Sequence, residues 1–183
     1  MNMKILSYTT TFWVLILLCL SNAYSQKEDV LGWREARWGM SGKEIADAFK
    51  GEVKAVTDHH PLSGDYYVDY AIPNYELNGR MFTVFFQMDS KTKKLAQILI
   101  KANQGQIVHL DSENFLLLEA SLRSKYGVPG YKKDDLEAQE TGPITRERRW
   151  IFSTSTIELG YAWLQKQSGW LYIRYFPSRN DRI

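Results

Sequence analysis

Residues 66–101 read YYVDYAIPNYELNGRMFTVFFQMDSKTKKLAQILIK, and this stretch decides the fold class. Aromatic and β-branched residues concentrate at Tyr66 to Ile72, Met81 to Met88 and Leu95 to Lys101, and such side chains suit a pleated, half-buried surface. Turn clusters at Pro73-Asn74, Asn78-Gly79 and Asp89-Ser90-Lys91-Thr92 separate them, and Asn-Gly supplies the positive φ of a tight hairpin. Three strands are therefore expected. The middle one, Met81-Phe82-Thr83-Val84-Phe85-Phe86-Gln87-Met88, is apolar at nearly every position and is expected to be buried on both faces, or close to it. Val53 to Thr57 is read as a further edge strand before the Asp58-His59-His60-Pro61 break.

Outward from this meander the pattern changes period. On the amino-terminal side, Val30 to Trp33 and Ala36 to Trp38 read as a short entry strand, followed by Ser41 and, three residues on, Glu44. That spacing is a capping box, in which each side chain satisfies an orphan backbone N–H, so a helix is expected from Ser41. Ile45, Ala46, Ala48 and Phe49 give it an apolar stripe, and Gly51 is placed to end it in a left-handed conformation. On the carboxy-terminal side, a second helix beginning near Asp111-Ser112 carries Phe115, Leu118, Leu122 and Tyr126 on one face. Gly127 and Pro129 stop it.

Residues 130–146 read as a mobile loop. Glu147 to Ser153, Thr156 to Trp163 and Trp170 to Phe176 then read as strands, the last two forming a hairpin around Gln165 to Gly169. The expected order is β-α-β(3-4)-α-β(3): an α+β domain with an antiparallel sheet and two main helices packed on one of its faces. A helix followed by a meander occurs twice, without a residue-level repeat.

The amino terminus carries a different signal. One lysine, Lys4, precedes the apolar run Phe12 to Leu20, too short to cross a bilayer as a helix, and small residues follow at Ser21, Ala23 and Ser25. Residues 1–25 thus read as a cleavable signal peptide, with cleavage before Tyr24 or Gln26, and residues 26–183 as a single periplasmic or secreted domain. Membrane contact is expected only through the signal before cleavage. Cys19, the only cysteine, leaves with it, and Ile16-Leu17-Leu18 before it lacks the small residue of a lipidation site. The mature domain would have neither disulfide nor thiolate metal site, so packing alone must hold it. The chain has 23 Lys+Arg and 21 Asp+Glu; losing Lys4 leaves it nearly neutral, without the footprint of a nucleic-acid binder.

Arg37-Trp38-Gly39-Met40-Ser41, with Glu44, Ile45 and Phe49, resembles a pattern of small exported bacterial domains in which Trp-Gly and a small cap residue open a short helix. Leu122 to Pro129, Trp150, Thr156 to Leu159 and Leu171 to Ile173 extend the resemblance over most of residues 33–176. In layout it is similar to the small lipoprotein of the outer-membrane protein assembly machinery and to the proteinaceous β-lactamase inhibitors. It departs from the first in lacking a lipidation cysteine and from the second in lacking disulfides. The shared motifs are short and mostly structural, so what the resemblance implies is a small exported α+β domain.

Catalytic and metal motifs give little. His59 and His60 are adjacent, so on an extended chain they point to opposite faces and do not share a metal, and no second ligand cluster accompanies them. His109 stands at a helix entrance with no nucleophile elbow in the chain. Asp134-Asp135, and Glu137 with Glu140, sit among lysines in the expected loop, where solvent leaves carboxylates ordinary. Gln104-Gly105-Gln106 lacks the pattern of a phosphate loop. No catalytic residue, metal or cofactor is assigned.

Aromatic residues and arginines suggest more. Tyr66, Val68 and Tyr70 share one strand face, Tyr161 and Trp163 another, and Trp170, Tyr172, Arg174 and Phe176 a third. Arg146, Arg148 and Arg149 cluster beside Trp150 and are suited to a carboxylate, a phosphate or a lipid head group, with Arg149 on the opposite face from the other two. Tyrosine, tryptophan and arginine dominate binding hot spots. The expected recognition residues are Tyr161, Trp163, Trp170, Tyr172, Arg174 and Arg148. The expected function is that of an exported cell-envelope or secreted, non-enzymatic binding or accessory protein, its partner unassigned between another envelope protein and an amphipathic ligand. A small amphipathic ligand held between helix and sheet is the second reading and a small hydrolase the third.

Overall fold

A computed structural model describes residues 29–57, 65–103, 109–135, 144–163 and 169–178. The strands β1 (Gly32–Trp33) and β2 (Ala36–Arg37) form a hairpin that leads into α1 (Gly42–Ala48). Four strands follow: β3 (Lys54–Ala55), β4 (Tyr66–Leu77), β5 (Arg80–Asp89) and β6 (Leu95–Ala102). After α2 (His109–Tyr126) come β7 (Tyr131–Asp135), β8 (Ile144–Ile151), β9 (Ser155–Trp163) and β10 (Trp170–Pro177). The fold is α+β, mostly antiparallel sheet with two helices. No helix among the described residues is long and apolar enough to cross a membrane.

All strands from β3 onward belong to one antiparallel sheet, in the order β3-β4-β5-β6-β10-β9-β8-β7. Each helix thus precedes a four-strand meander, and the last strand of each meander meets the other at the centre, where Tyr172 faces Lys101 and Arg174 faces Leu99. The two halves are arranged about this β6–β10 seam like the halves of a two-fold.

One sheet face carries both helices. Ser41 caps α1 as its spacing predicts: the Glu44 N–H donates to Ser41 Oγ at 3.4 Å, and the Ser41 N–H donates to Glu44 Oε2 at 2.7 Å. Ile45 and Phe49 bury against the sheet, where Phe49 lies 5.0 Å from the Phe86 ring and stacks on Trp33. Phe115, Leu118, Leu122 and Tyr126 of α2 are all buried, and Phe115 meets Tyr161 of β9. The Trp-Gly segment ties the entry to the sheet. Trp38 Nε1 donates to Ser155 Oγ at 2.7 Å, the Gly39 N–H donates to the Leu95 carbonyl, and Gly39 itself holds a φ of +81°, open to glycine.

Several expectations are corrected. The entry strand is a two-strand hairpin. Pro73-Asn74 is no turn: Asn74, at φ +55°, forms a bulge inside β4, after which Tyr75, Glu76 and Leu77 re-pair with Phe82, Met81 and Arg80. The strand Met81 to Met88 comes close to burial on both faces without reaching it: Phe82, Val84, Phe86 and Met88 are buried on the helix side and Gln87 on the other, whereas Thr83 and Phe85 are half-buried and Met81 is exposed. Gly51 has the expected left-handed φ of +81°, but one residue later than a C′ position, since Phe49 is the cap.

The loop 130–146 is also shorter than expected. Tyr131–Asp135 is the edge strand β7, and β8 begins at Ile144. Five exposed residues, four of them charged, make β7 read as loop in sequence, yet charge is how an edge strand resists pairing with other chains. Residues 136–143 lie outside the described residues, as do 1–28 with the signal reading and 58–64 with His59 and His60.

Candidate functional site

The second face of the sheet is covered by neither helix. Strand alternation assigns its residues: opposite partners in register share a face, so Tyr131, Arg149, Glu158, Arg174, Leu99 and Phe85 form one row across β7-β8-β9-β10-β6-β5. Glu147, Gly160, Tyr172, Lys101 and Thr83 form the next. Trp170 and Ala162 begin a third.

Glu158 is the centre of this face. It is only 2% exposed, and its carboxylate accepts from Arg174 Nη2 at 2.7 Å, from the Tyr172 hydroxyl at 3.0 Å and from Arg149 Nε at 3.1 Å. An unpaired buried carboxylate is costly, and three donors of which two are cationic remove most of that penalty. Arg149 also pairs with Glu147. The guanidiniums in turn lie over aromatic rings, Arg149 over Tyr131 and Arg174 over Phe176, each 5.1 Å from the ring centroid. Burial and the Glu158 charge together push the Tyr172 phenol well above its ordinary pKa, so it remains a hydrogen-bond donor at any physiological pH.

Gly160 makes this arrangement possible. The Tyr172 ring crosses β9 at the glycine, where a β-carbon would stand 2.2 Å from Tyr172 Cζ. A glycine inside a strand here marks the close approach of a side chain. With Tyr172 laid flat, Trp170 stands at the rim, 41% exposed. A groove of about 520 Å³ opens between them, lined by Tyr66, Gln87, Gln97, Leu99, Lys101 and Arg174 with both aromatics. Gln97 donates to Gln87 on its floor.

The structure divides the residues expected for recognition. Trp170, Tyr172 and Arg174 lie together on the uncovered face. Tyr161 and Trp163 alternate with the uncovered Ala162 and face the helices, Tyr161 buried against Phe115 and Trp163 half-buried against the core. Arg148 is a correction: it faces α2, buried, with its Nε 3.0 Å from Glu119 Oε1 and its Nη1 2.8 Å from Asp134 Oδ1. It joins helix to edge strand and does not reach the hairpin surface. Arg146 shares its side and Arg149 takes the other, as alternation predicts. Tyr66 and Val68 share a face, but the irregularity after Val68 turns Tyr70 to the helix side, opposite Phe86.

Sequence reasoning missed Glu158, Gly160, Leu99 and Lys101. Two signals were present: a glycine within a strand of large residues, and the alternation of Gln97, Leu99 and Lys101 against Ile98 and Ile100. His109 is the first residue of α2, Asp134 and Asp135 lie in β7, and Glu137 and Glu140 fall outside the described residues. Among the described residues no group of three or more His, Cys, Asp or Glu side chains is placed to hold a metal ion. Comparison with protein-family models, curated proteins and solved structures gives no match.

Proposed function

We propose that this chain is a non-enzymatic binding protein, exported after removal of residues 1–25, that recognises another envelope protein through the uncovered sheet face around Trp170, Tyr172 and Arg174. The observation that carries the reading is the Glu158 network. It fixes Arg149, Arg174 and Tyr172 in place before any partner arrives, so little side-chain entropy remains to be lost on association. Trp170, Leu99 and Phe85 add apolar area beside fixed charge, the composition of a binding hot spot.

The chemistry of this face is that of recognition. The buried carboxylate of Glu158 is engaged by two guanidiniums and a phenol, so its charge holds the face in shape and does not point into the groove. The partner expected is a protein with an apolar anchor to fill the groove and an acidic group to meet Lys101.

The reading is tested by immobilising the mature protein and Leu99→Arg side by side and passing envelope extract over both. This substitution would raise a charge from the groove floor on a strand whose core contacts are made by Ile98 and Ile100. A stoichiometric protein retained by the wild type and lost with the variant, at equal melting temperatures, supports the reading. Equal retention contradicts it.

A further inference from the structure

The arginine cluster is split by strand alternation, and its helix-side members lead to a second site. Between α2 and the edge strands β7 and β8 runs a groove of about 740 Å³, floored by Arg146 and Arg148 and flanked by Lys132 and Asp134 of β7 and by Leu116, Glu119 and Arg123 of α2. Its two carboxylates are both engaged. Glu119 meets Arg148 at 3.0 Å and Arg123 at 3.8 Å, and Asp134 meets Arg148 at 2.8 Å and Lys132 at 3.5 Å.

Arg146 stands apart from these pairs. Its guanidinium lies over the Phe115 ring, 5.8 Å from the centroid, and its Nε is buried with no acceptor among the described residues. A guanidinium N–H without an acceptor costs about as much as a lost hydrogen bond, and Arg146 as a whole is only half-buried, so an acceptor entering the groove can meet the guanidinium at its accessible side. Among the described residues four cations line the groove against two carboxylates, an excess of two positive charges. A terminal phosphate carries about −1.5 to −2 charge at neutral pH and has three acceptor oxygens, which matches the excess and offers Arg146 an acceptor. Leu116 stands at the rim, 52% exposed, where an apolar chain attached to that phosphate would lie.

We infer that this groove binds a phosphate group, free or esterified to an apolar chain, with Arg146 and Lys132 as its principal ligands. The site is independent of the uncovered face, on the other side of the sheet. Phosphate could come free or as the head of a lipid, and the chemistry at Arg146 is the same.

The test is calorimetric titration of the mature protein with inorganic phosphate and with dodecyl phosphate kept monomeric, in a zwitterionic buffer at about pH 7.5. One-to-one saturable binding is expected, weakened about tenfold or more in Arg146→Gln and unchanged in Arg37→Gln, which lies outside the groove. If Arg146→Gln lowers the melting temperature, Lys132→Gln, at a side chain 60% exposed, reads the same loss in a folded protein. Dodecyl phosphate binding at least tenfold more tightly than phosphate, with that advantage lost in Leu116→Ser, supports the site and assigns a lipid source. Equal affinities support it with free phosphate as the ligand. Absence of saturable binding by either, or binding undiminished in both Arg146→Gln and Lys132→Gln, overturns it.

Discussion

The ring of Tyr172 lies against the backbone of Gly160, so closely that no β-carbon fits between them. One hydrogen bond further on, the Tyr172 hydroxyl meets Glu158, so the absence of a side chain at Gly160 is what lets the phenol reach the charged row.

Gly160→Ala is accordingly expected to lift Tyr172, break its bond to Glu158 and destabilise the domain by about 1–3 kcal/mol, the usual range for forcing atoms into a packed site. Urea unfolding reads the change. The double variant Gly160→Ala with Tyr172→Ala removes the clash and should recover part of the loss. No recovery would show that the glycine is needed for a different reason.

Ser41→Ala should cost about 0.5–2 kcal/mol, the usual loss for an N-cap serine. The Ser41 N–H and hydroxyl hold the Glu44 carboxyl below its ordinary pKa, so this half of the box is intact above the unfolded value and is lost as pH falls through the folded one. A denaturant midpoint that does not move in Ser41→Ala would show that the cap contributes nothing.

Arg148 offers a larger effect. Replacing it with methionine leaves Glu119, itself largely buried, without its short partner, and breaking a buried pair from one side costs about 3–5 kcal/mol. Arg148→Met with Glu119→Leu removes both charges and should restore most of the stability. A single variant as stable as the wild type would contradict the burial described.

Asp134 gives the pH dependence of the same cluster. Burial alone would raise its pKa, but the hydrogen bonds and charge of Arg148, with Lys132, outweigh burial and hold it below the ordinary value. A depressed carboxylate stabilises the fold above its unfolded pKa, and that contribution disappears as pH falls through the folded pKa. The stability difference between wild type and Asp134→Asn should therefore be largest near neutrality and shrink in acid. A difference independent of pH would show that the charge of Asp134 is not what holds it.

The elements that the sequence revealed are those whose signal is local. Ser41 with Glu44 marks a helix start within four residues, and Phe115, Leu118, Leu122 and Tyr126 mark a buried face through spacing alone. What stayed hidden depends on partners distant in sequence. Arg148 reads as a surface charge until Glu119 and Asp134 close around it, and Tyr161 reads as equivalent to Tyr172 until the helices choose one side of the sheet. β7 was concealed by its own charges, and the bulge at Asn74 by a Pro-Asn pair that usually ends a strand. The uncovered face became legible only through register, which set Glu158 between Arg149 and Arg174.

Protein recognition on the uncovered face, as proposed, is separated from core packing on the helix-bearing face by Trp170→Ala beside Trp150→Ala. Trp150 is buried on the helix side and donates through Nε1 to the Gly127 carbonyl at 2.7 Å, so its loss should cost about 3–5 kcal/mol of stability. The measurement is the affinity of Trp170→Ala for the protein retained from envelope extract, taken together with its denaturant midpoint. Trp170→Ala is expected to lose about 2 kcal/mol or more in binding, the scale of a hot spot, with the midpoint nearly level. Undiminished affinity, or a loss of stability as large as that of Trp150→Ala, would contradict it.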